Sequence, residues 1–459
     1  MKKMLSLIII GLLGLSMFLM FLSWTAEAQE IVWNTNPTPL PNSSSFHMSI
    51  VHNGRIYVIS GYIDEGVLVP DVYFADINSD GTVGSWVPTT PLPEWRSEGT
   101  AVSWNNFVYV IAGRGPPWGG RSEQNTVFSA YIRSDGQIEK WNNEPNLPER
   151  LLNHAAVVWN GRIYVLGGWN GYSSQDKTYY AEINSVDGSL GNWNENPIDL
   201  PFPWESTCAS VHDGRIYMFG GWHGPNGPPH DKVYSASIET DGTVGIWDEN
   251  PSLPEERAWT RCALINDDIY VVGGSSGPSI AEKTVYKAKL GGDWTEVQSI
   301  PEARIGHSVV TFQGRIYVTG GHDSEWRCYD TIYYSSPPTV SATIDIDPET
   351  LNLKSNGEWI TAYIELPESY DVSEIDVGSI LLNNAVPVDV KAPITIGDYD
   401  LDAIPDLMVK FDRAAIIEWL DTNDYGEDTG KYYEINLTIT GTVSGTQFAG
   451  TDQVKVLKR

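Results

Sequence analysis

Four aspartates stand at positions 1, 3, 5 and 9 of the nine-residue run Asp398, Tyr399, Asp400, Leu401, Asp402, Ala403, Ile404, Pro405, Asp406. Carboxylates at that spacing, with the Ile404 carbonyl at position 7, can converge on one hard cation, and calcium suits an all-oxygen set of this kind. Ala403 stands where such loops turn sharply on glycine, and Val409 stands where a helix-type calcium loop carries its bidentate Glu. A solvated acidic turn is the competing reading. A second chemistry is aromatic and basic. The chain holds 18 Trp, and exposed indoles stack on the apolar faces of sugars while Arg, Asn and His bind hydroxyls or carboxylates. Arg96, Arg257 and Arg304 each follow a recurring Pro by three residues, whereas Ser44, Leu151 and Trp204 hold that column elsewhere. Packing therefore does not demand Arg there, and the three guanidiniums are expected to line one rim and grip an anionic or polar ligand beside Trp259. Cys208, Cys262 and Cys328 form no CxxC or Cys/His cluster, so zinc is not indicated and buried structural thiols are expected. No nucleophile elbow or phosphate loop is present, and no catalytic residue is assigned.

The elements that must position these groups follow from a repeat. Trp recurs at 33, 86, 141, 193, 247 and 294, at intervals of 47 to 55 residues. Each interval runs through the same signals: a Leu/Ile-Pro step, then the column His47, Gly99, His154, Thr207, Thr260, His307 six residues after the Pro. A strand-turn-strand unit such as 160–168 follows, its Asn-Gly pair marking a tight hairpin. A variable loop, a third strand, an Asp-Gly turn and a short strand ending at Trp complete the unit. Four strands in about 50 residues make one propeller blade, which must stack on neighbours around an axis. The last repeat supplies only three strands, near 308–312, 315–320 and 331–334. Ile31-Val32-Trp33 reads like the missing fourth and is expected to close a ring of six blades. The three His of the column fall on separate blades and read as structural residues rather than metal ligands.

At the paired glycines 167–168, 220–221, 273–274 and 320–321, the third-strand Tyr residues and the spaced Trp residues, the sequence resembles the kelch family of β-propellers. The first two repeats keep only the second glycine, as Ser60-Gly61 and Ala112-Gly113. The resemblance implies an all-β fold, a six-bladed kelch-type β-propeller over 29–336. It also implies that the loops before the first strand and after the second share one face. Those loops hold the expected ligand-binding residues Arg96, Glu98, Arg114, Trp118, Asn153, Trp169, Trp222, Arg257, Trp259, Arg304 and His322. Residues 337–459 show no repeat; their alternating stretches predict a small acidic β-sandwich-like domain, with one helix near 412–420 capped by Asp412.

Residues 1–28 read as an export signal: Lys2-Lys3, an apolar run from Leu5 to Trp24, then Ala26-Glu27-Ala28. An uncleaved N-terminal membrane anchor is the rival reading, because the run is long enough to span. The expected location is secreted or cell-surface. Acidic residues outnumber basic ones 59 to 29, a net charge of -30, so nucleic acid is not an expected partner. The expected function is non-catalytic binding or adhesion through the propeller face, toward a glycan or a protein ligand. Calcium is the one expected cofactor, in the C-terminal domain, with none for the propeller. A carbohydrate-active enzyme such as a sugar epimerase or mutarotase is the alternative. It requires a Glu/His/Arg cluster with shifted pKa values at the channel mouth, and Glu98 and Glu205, beside Arg96 and Arg257, are its candidates.

Overall fold

The structure is a computed structural model. It describes residues 31–63, 66–118, 121–224, 227–337, 339–355, 357–367, 370–422, 432–444 and 446–457. The expected export segment, 1–28, lies outside them. Among the described residues no helix is long and apolar enough to cross a membrane.

Six four-stranded antiparallel sheets cover residues 33–335. Their innermost strands are Met48–His52, Thr100–Trp104, Ala155–Trp159, Cys208–His212, Arg261–Ile265 and Ser308–Phe312. Each neighbours the next, and the last returns to the first, so the ring closes. We number these sheets blades 1 to 6 in that order. The fourth strand of blade 6 is Trp33–Thr35, which pairs with Ile332–Ser335 in the register Trp33↔Ser335 and Thr35↔Tyr333. The chain's N-terminal strand therefore closes the ring, two residues later than the sequence placed it. The apolar core is divided into six clusters, one at each blade-to-blade junction, including blade 6 against blade 1.

Local sequence explains the blades. Asn53-Gly54 and Asn160-Gly161 take positive φ at both positions, the geometry of a tight hairpin that matches strand twist. In five of the six blades the second glycine of the pair packs against the recurring column: a Cβ on Gly61 would lie 2.7 Å from the His47 Cβ, and one on Gly168 would lie 2.8 Å from the His154 Cβ. That steric limit is why Gly61 and Gly113 persist where the first glycine has become Ser60 or Ala112, both at positive φ. A second-strand Tyr stitches neighbouring blades. Tyr57 donates to the Gly136 carbonyl (2.9 Å), Tyr109 to Gly188 (2.7 Å), Tyr164 to Gly242 (3.0 Å) and Tyr317 to Gly81 (3.0 Å).

Strands between 339 and 457 form two further sheets around a separate core that includes Ile364, Val409, Phe411, Ile439 and Phe448. The helix Arg413–Thr422 joins them, and the Asp412 carboxylate accepts from the Ala415 N–H at 2.9 Å as its cap.

Candidate functional site

Two concentric rings of backbone build the mouth of the central channel. One residue before the recurring column stand Phe46, Glu98, Asn153, Ser206, Trp259 and Gly306, all at φ between 46° and 63°. The Phe46 N–H donates to the Gly306 carbonyl, Glu98 to Phe46, Asn153 to Glu98, Ser206 to Asn153 and Trp259 to Ser206, at 2.7–3.2 Å. Left-handed backbone costs a non-glycine residue on the order of 1 kcal/mol or more, and these inter-blade bonds hold it in place. Around this ring, one bridge per blade anchors the residue after the glycine pair: Ser45↔Tyr62, Ser97↔Arg114, Leu152↔Trp169, Glu205↔Trp222, Ala258↔Ser275 and Ile305↔His322.

The two rings enclose a cavity of about 660 Å³. Seven expected ligand residues line it: Glu98, Arg114, Asn153, Trp169, Trp222, Trp259 and His322. Glu205, the candidate of the enzyme reading, and Trp326, which lies on the same loop face, join them, together with Phe46, Pro278 and Ile305, which the sequence did not single out. On one side Trp222 and Trp259 meet edge to face at 5.5 Å, and neither indole N–H has a hydrogen-bond partner among the described residues. On the other side His322 and Trp326 stack in parallel at 4.4 Å, with Phe46 at 5.3 Å from His322. Trp326 is 64% exposed. Glu98 and Arg114 form a hydrogen-bonded ion pair between these walls.

Electrostatics at the mouth are uneven. Burial pushes the Glu205 carboxyl up; the Ser174 hydroxyl, donated at 2.9 Å, opposes this and the Glu98 charge adds to it. Burial lowers His322 to about 4, so its ring is neutral at pH 7 and shares a 2.7 Å hydrogen bond with the Ser45 hydroxyl. The mouth thus offers an apolar aromatic shelf, two free N–H donors, one fixed ion pair and one carboxyl that holds its proton more tightly than usual.

Arg96, Arg257 and Arg304 do not face this cavity. Each is at most 1% exposed and braces its own blade. Arg96 reaches Glu94 and Thr126, Arg257 reaches Glu255 and Thr284, and Arg304 reaches Glu302, Thr331 and the Gly320 carbonyl. Their planes also lie against Phe128, Tyr286 and Tyr333. The expectation that they grip ligand is corrected: the side chains are buried away from the cavity, their Nη groups are committed internally, and each Nε is buried without a partner among the described residues. The Glu-x-Arg spacing, repeated in all three blades, was the available signal. Trp118 ends a strand of blade 2, opposite Arg121, and its side chain lies outside the described residues.

In the C-terminal domain the carboxylates of Asp398, Asp400 and Asp406 converge within 4.8 Å of one another, as do those of Glu365, Asp400 and Asp402. Glu365 arrives through strand pairing, directly opposite Asp406. Burial, then Asp400, Asp402 and Asp398, push the Asp406 carboxyl up, although the Tyr399 N–H bonds it at 2.9 Å. The Ile404 N–H donates to Asp402 at 2.8 Å, and Leu401 and Ala403 take positive φ. An all-oxygen, negatively charged set of this kind fits a hard cation.

Comparison with known proteins accords with the blades. Residues 18–221 match the family model described as the KLHDC2/KLHL20/DRC7 Kelch-repeats domain, and residues 303–334 match the Kelch motif. The chain is 25% identical over 211 residues to the Kelch repeat-containing protein At3g27220 of Arabidopsis thaliana, covering 46% of this chain and 47% of that one. It is 26% identical over 260 residues to Kelch domain-containing protein 10 of Xenopus laevis, covering 52% and 60%. The chain thus spans about half the length of these curated relatives. Among solved structures, that of YjhT superposes with a TM-score of 0.52 at 15% identity, covering 65% of this chain and 95% of that one.

Proposed function

We infer that this chain, a kelch-repeat β-propeller with a C-terminal β-sandwich-like domain, is an exported binding protein whose channel mouth receives a glycan or a segment of another protein. Kelch repeats typically serve as protein-interaction scaffolds. The observation that carries the reading is the wall formed by Trp222 and Trp259. Two indole N–H groups are withdrawn from water there without a partner among the described residues, an arrangement that costs free energy unless a ligand or ordered water accepts from them. The aromatic faces suit a sugar ring or an apolar side chain, and the Glu98–Arg114 pair suits a polar substituent. Export rests on the N-terminal order of Lys2-Lys3, apolar run and Ala26-x-Ala28. The acidic loop 398–406 supports calcium as a stabilising ion for the C-terminal domain.

Glycan and peptide arrays probed with the mature protein test this reading. Ligands selected by the wild type should be lost by Trp222→Ala. Selected ligands that bind Trp222→Ala equally would reject the mouth as the site.

Glu205 favours a second reading. A buried carboxyl that stays protonated higher than usual, beside Glu98, is placed to donate a proton to a sugar oxygen, as an epimerase or mutarotase requires. Anomeric exchange of reducing sugars, followed by NMR, distinguishes the two: enzyme-accelerated exchange abolished in Glu205→Gln supports catalysis, and exchange at the solvent rate supports binding alone.

A further inference from the structure

Below the mouth, the innermost strands line a narrower channel of about 160 Å³. At the tier where the strands begin, the wall residues are Met48, Thr100, Ala155, Cys208, Arg261 and Ser308. Five are small or uncharged, and one carries a full positive charge. Arg261 Nη1 donates to the Thr260 carbonyl at 2.9 Å, and no carboxylate among the described residues lies within ion-pair distance of it. The only carboxylate on the channel wall among the described residues, Glu98, is already tied to Arg114. The imidazoles give no counter-charge: burial and the Arg261 charge carry His47 down to about 3, and His307 is lowered by the same causes.

Arg261 is partly buried; a guanidinium cannot shed its proton at ordinary pH, so drawing it even partly out of bulk water without a counter-ion costs free energy. A second, independent feature marks the same channel as a place for a polar occupant. Among the described residues, His154 is 5% exposed with neither ring nitrogen hydrogen-bonded, and Ser206 is 2% exposed with its hydroxyl unpartnered. Both side chains belong to the channel wall. Buried polar atoms left in this state are normally satisfied by a bound molecule or ordered water.

We propose that the channel binds a small planar oxyanion, of the size of nitrate, formate or acetate, with Arg261 as its charged anchor. The planar guanidinium presents two parallel N–H donors that match such an anion. The site lies one tier deeper than the mouth and does not depend on what the mouth binds.

The test is a thermal-melt series on the mature protein at constant ionic strength, with nitrate or formate replacing gluconate, which is too bulky for the channel. The propeller Tm should rise with nitrate or formate concentration in the wild type, as ligand binding to the native state requires. It should stay flat in Arg261→Gln and rise partly in Arg261→Lys. A flat wild-type series, or parallel rises in wild type and Arg261→Gln, would overturn the site. If Arg261→Gln does not fold, wild-type crystals soaked in bromide decide. An anomalous peak within hydrogen-bonding reach of the Arg261 guanidinium supports the site, and a channel holding only water overturns it.

Discussion

His154 provides a sharp test of how the propeller's interior responds to acid. Its ring is buried at the foot of the mouth, both nitrogens lack partners among the described residues, and burial lowers its pKa from 6.5 to about 4. Because the folded-state pKa lies below the unfolded one, the unfolded chain takes up the proton first as pH falls. The contribution to stability is fully present above pH 6.5, declines as pH falls from there toward 4, and is lost below. A drop from 6.5 to about 4 is worth roughly 3 kcal/mol, at about 1.4 kcal/mol for each tenfold change. His154→Thr removes the titration with a residue that blades 4 and 5 already use in this column. There Thr207 and Thr260 donate to Phe219 and Val272 carbonyls at 3.1 Å. Denaturant unfolding of the propeller transition, measured from pH 7.5 to 4 for both proteins, gives the difference in stability. Acidic-residue contributions common to the two cancel in that difference. The wild type should lose roughly 3 kcal/mol relative to the variant over this range. A difference that does not change with pH would refute a neutral, desolvated His154.

Arg257→Ala should lower propeller stability by about 2–3 kcal/mol, because it strands Thr284 and the Glu256 carbonyl and removes a charge-assisted bond to Glu255; an unchanged denaturation midpoint would contradict the brace. Tyr317→Phe should cost about 1–3 kcal/mol by leaving the Gly81 carbonyl unpaired where blade 6 meets blade 1, again read by denaturant unfolding. Calcium should raise the melting temperature of the C-terminal transition of the full chain, and Asp400→Asn should abolish the rise; identical melts in calcium and chelator would favour the solvated acidic turn. Cys208, whose thiol burial raises well above its usual pKa, should react far more slowly with a maleimide in the native than in the denatured protein, and equal rates followed by mass spectrometry would contradict its burial.

The fold was legible because its determinants are local. Asn-Gly turns, glycines that must approach the His47 column, and Trp at the start of each fourth strand, rather than at its end as the sequence suggested, recur at one period; the turns and glycines have a steric cause within their own blade, and the indoles of Trp33, Trp141, Trp193 and Trp294 bond to the preceding blade. The lone strand at Trp33 could be assigned to the last blade because the last repeat was one strand short. The site was legible only in part. Glu98, Asn153 and Trp259 were identified from the loop they occupy. Their shared left-handed backbone was hidden, because no propensity of Glu or Trp favours it; the inter-blade hydrogen bonds impose it. The buried arginines misled because an Arg in a column otherwise held by Ser, Leu and Trp looks optional, while its partners Thr126, Thr284 and Thr331 lie about 30 residues away. Glu365 escaped the acidic motif for a similar reason: only strand pairing brings it opposite Asp406.

The measurement that bears most directly on the mouth as a binding site is the indole region of a ¹⁵N–¹H NMR spectrum, recorded with and without an array-selected ligand. The Nε1–H groups of Trp222 and Trp259 have no acceptor among the described residues, whereas those of Trp33, Trp141, Trp193 and Trp294 donate to backbone carbonyls at 2.8–3.0 Å. Ligand should shift the Trp222 and Trp259 resonances and leave those four in place. Shifts confined to the four braced indoles, with Trp222 and Trp259 unmoved, would contradict the assignment of the channel mouth as the ligand site.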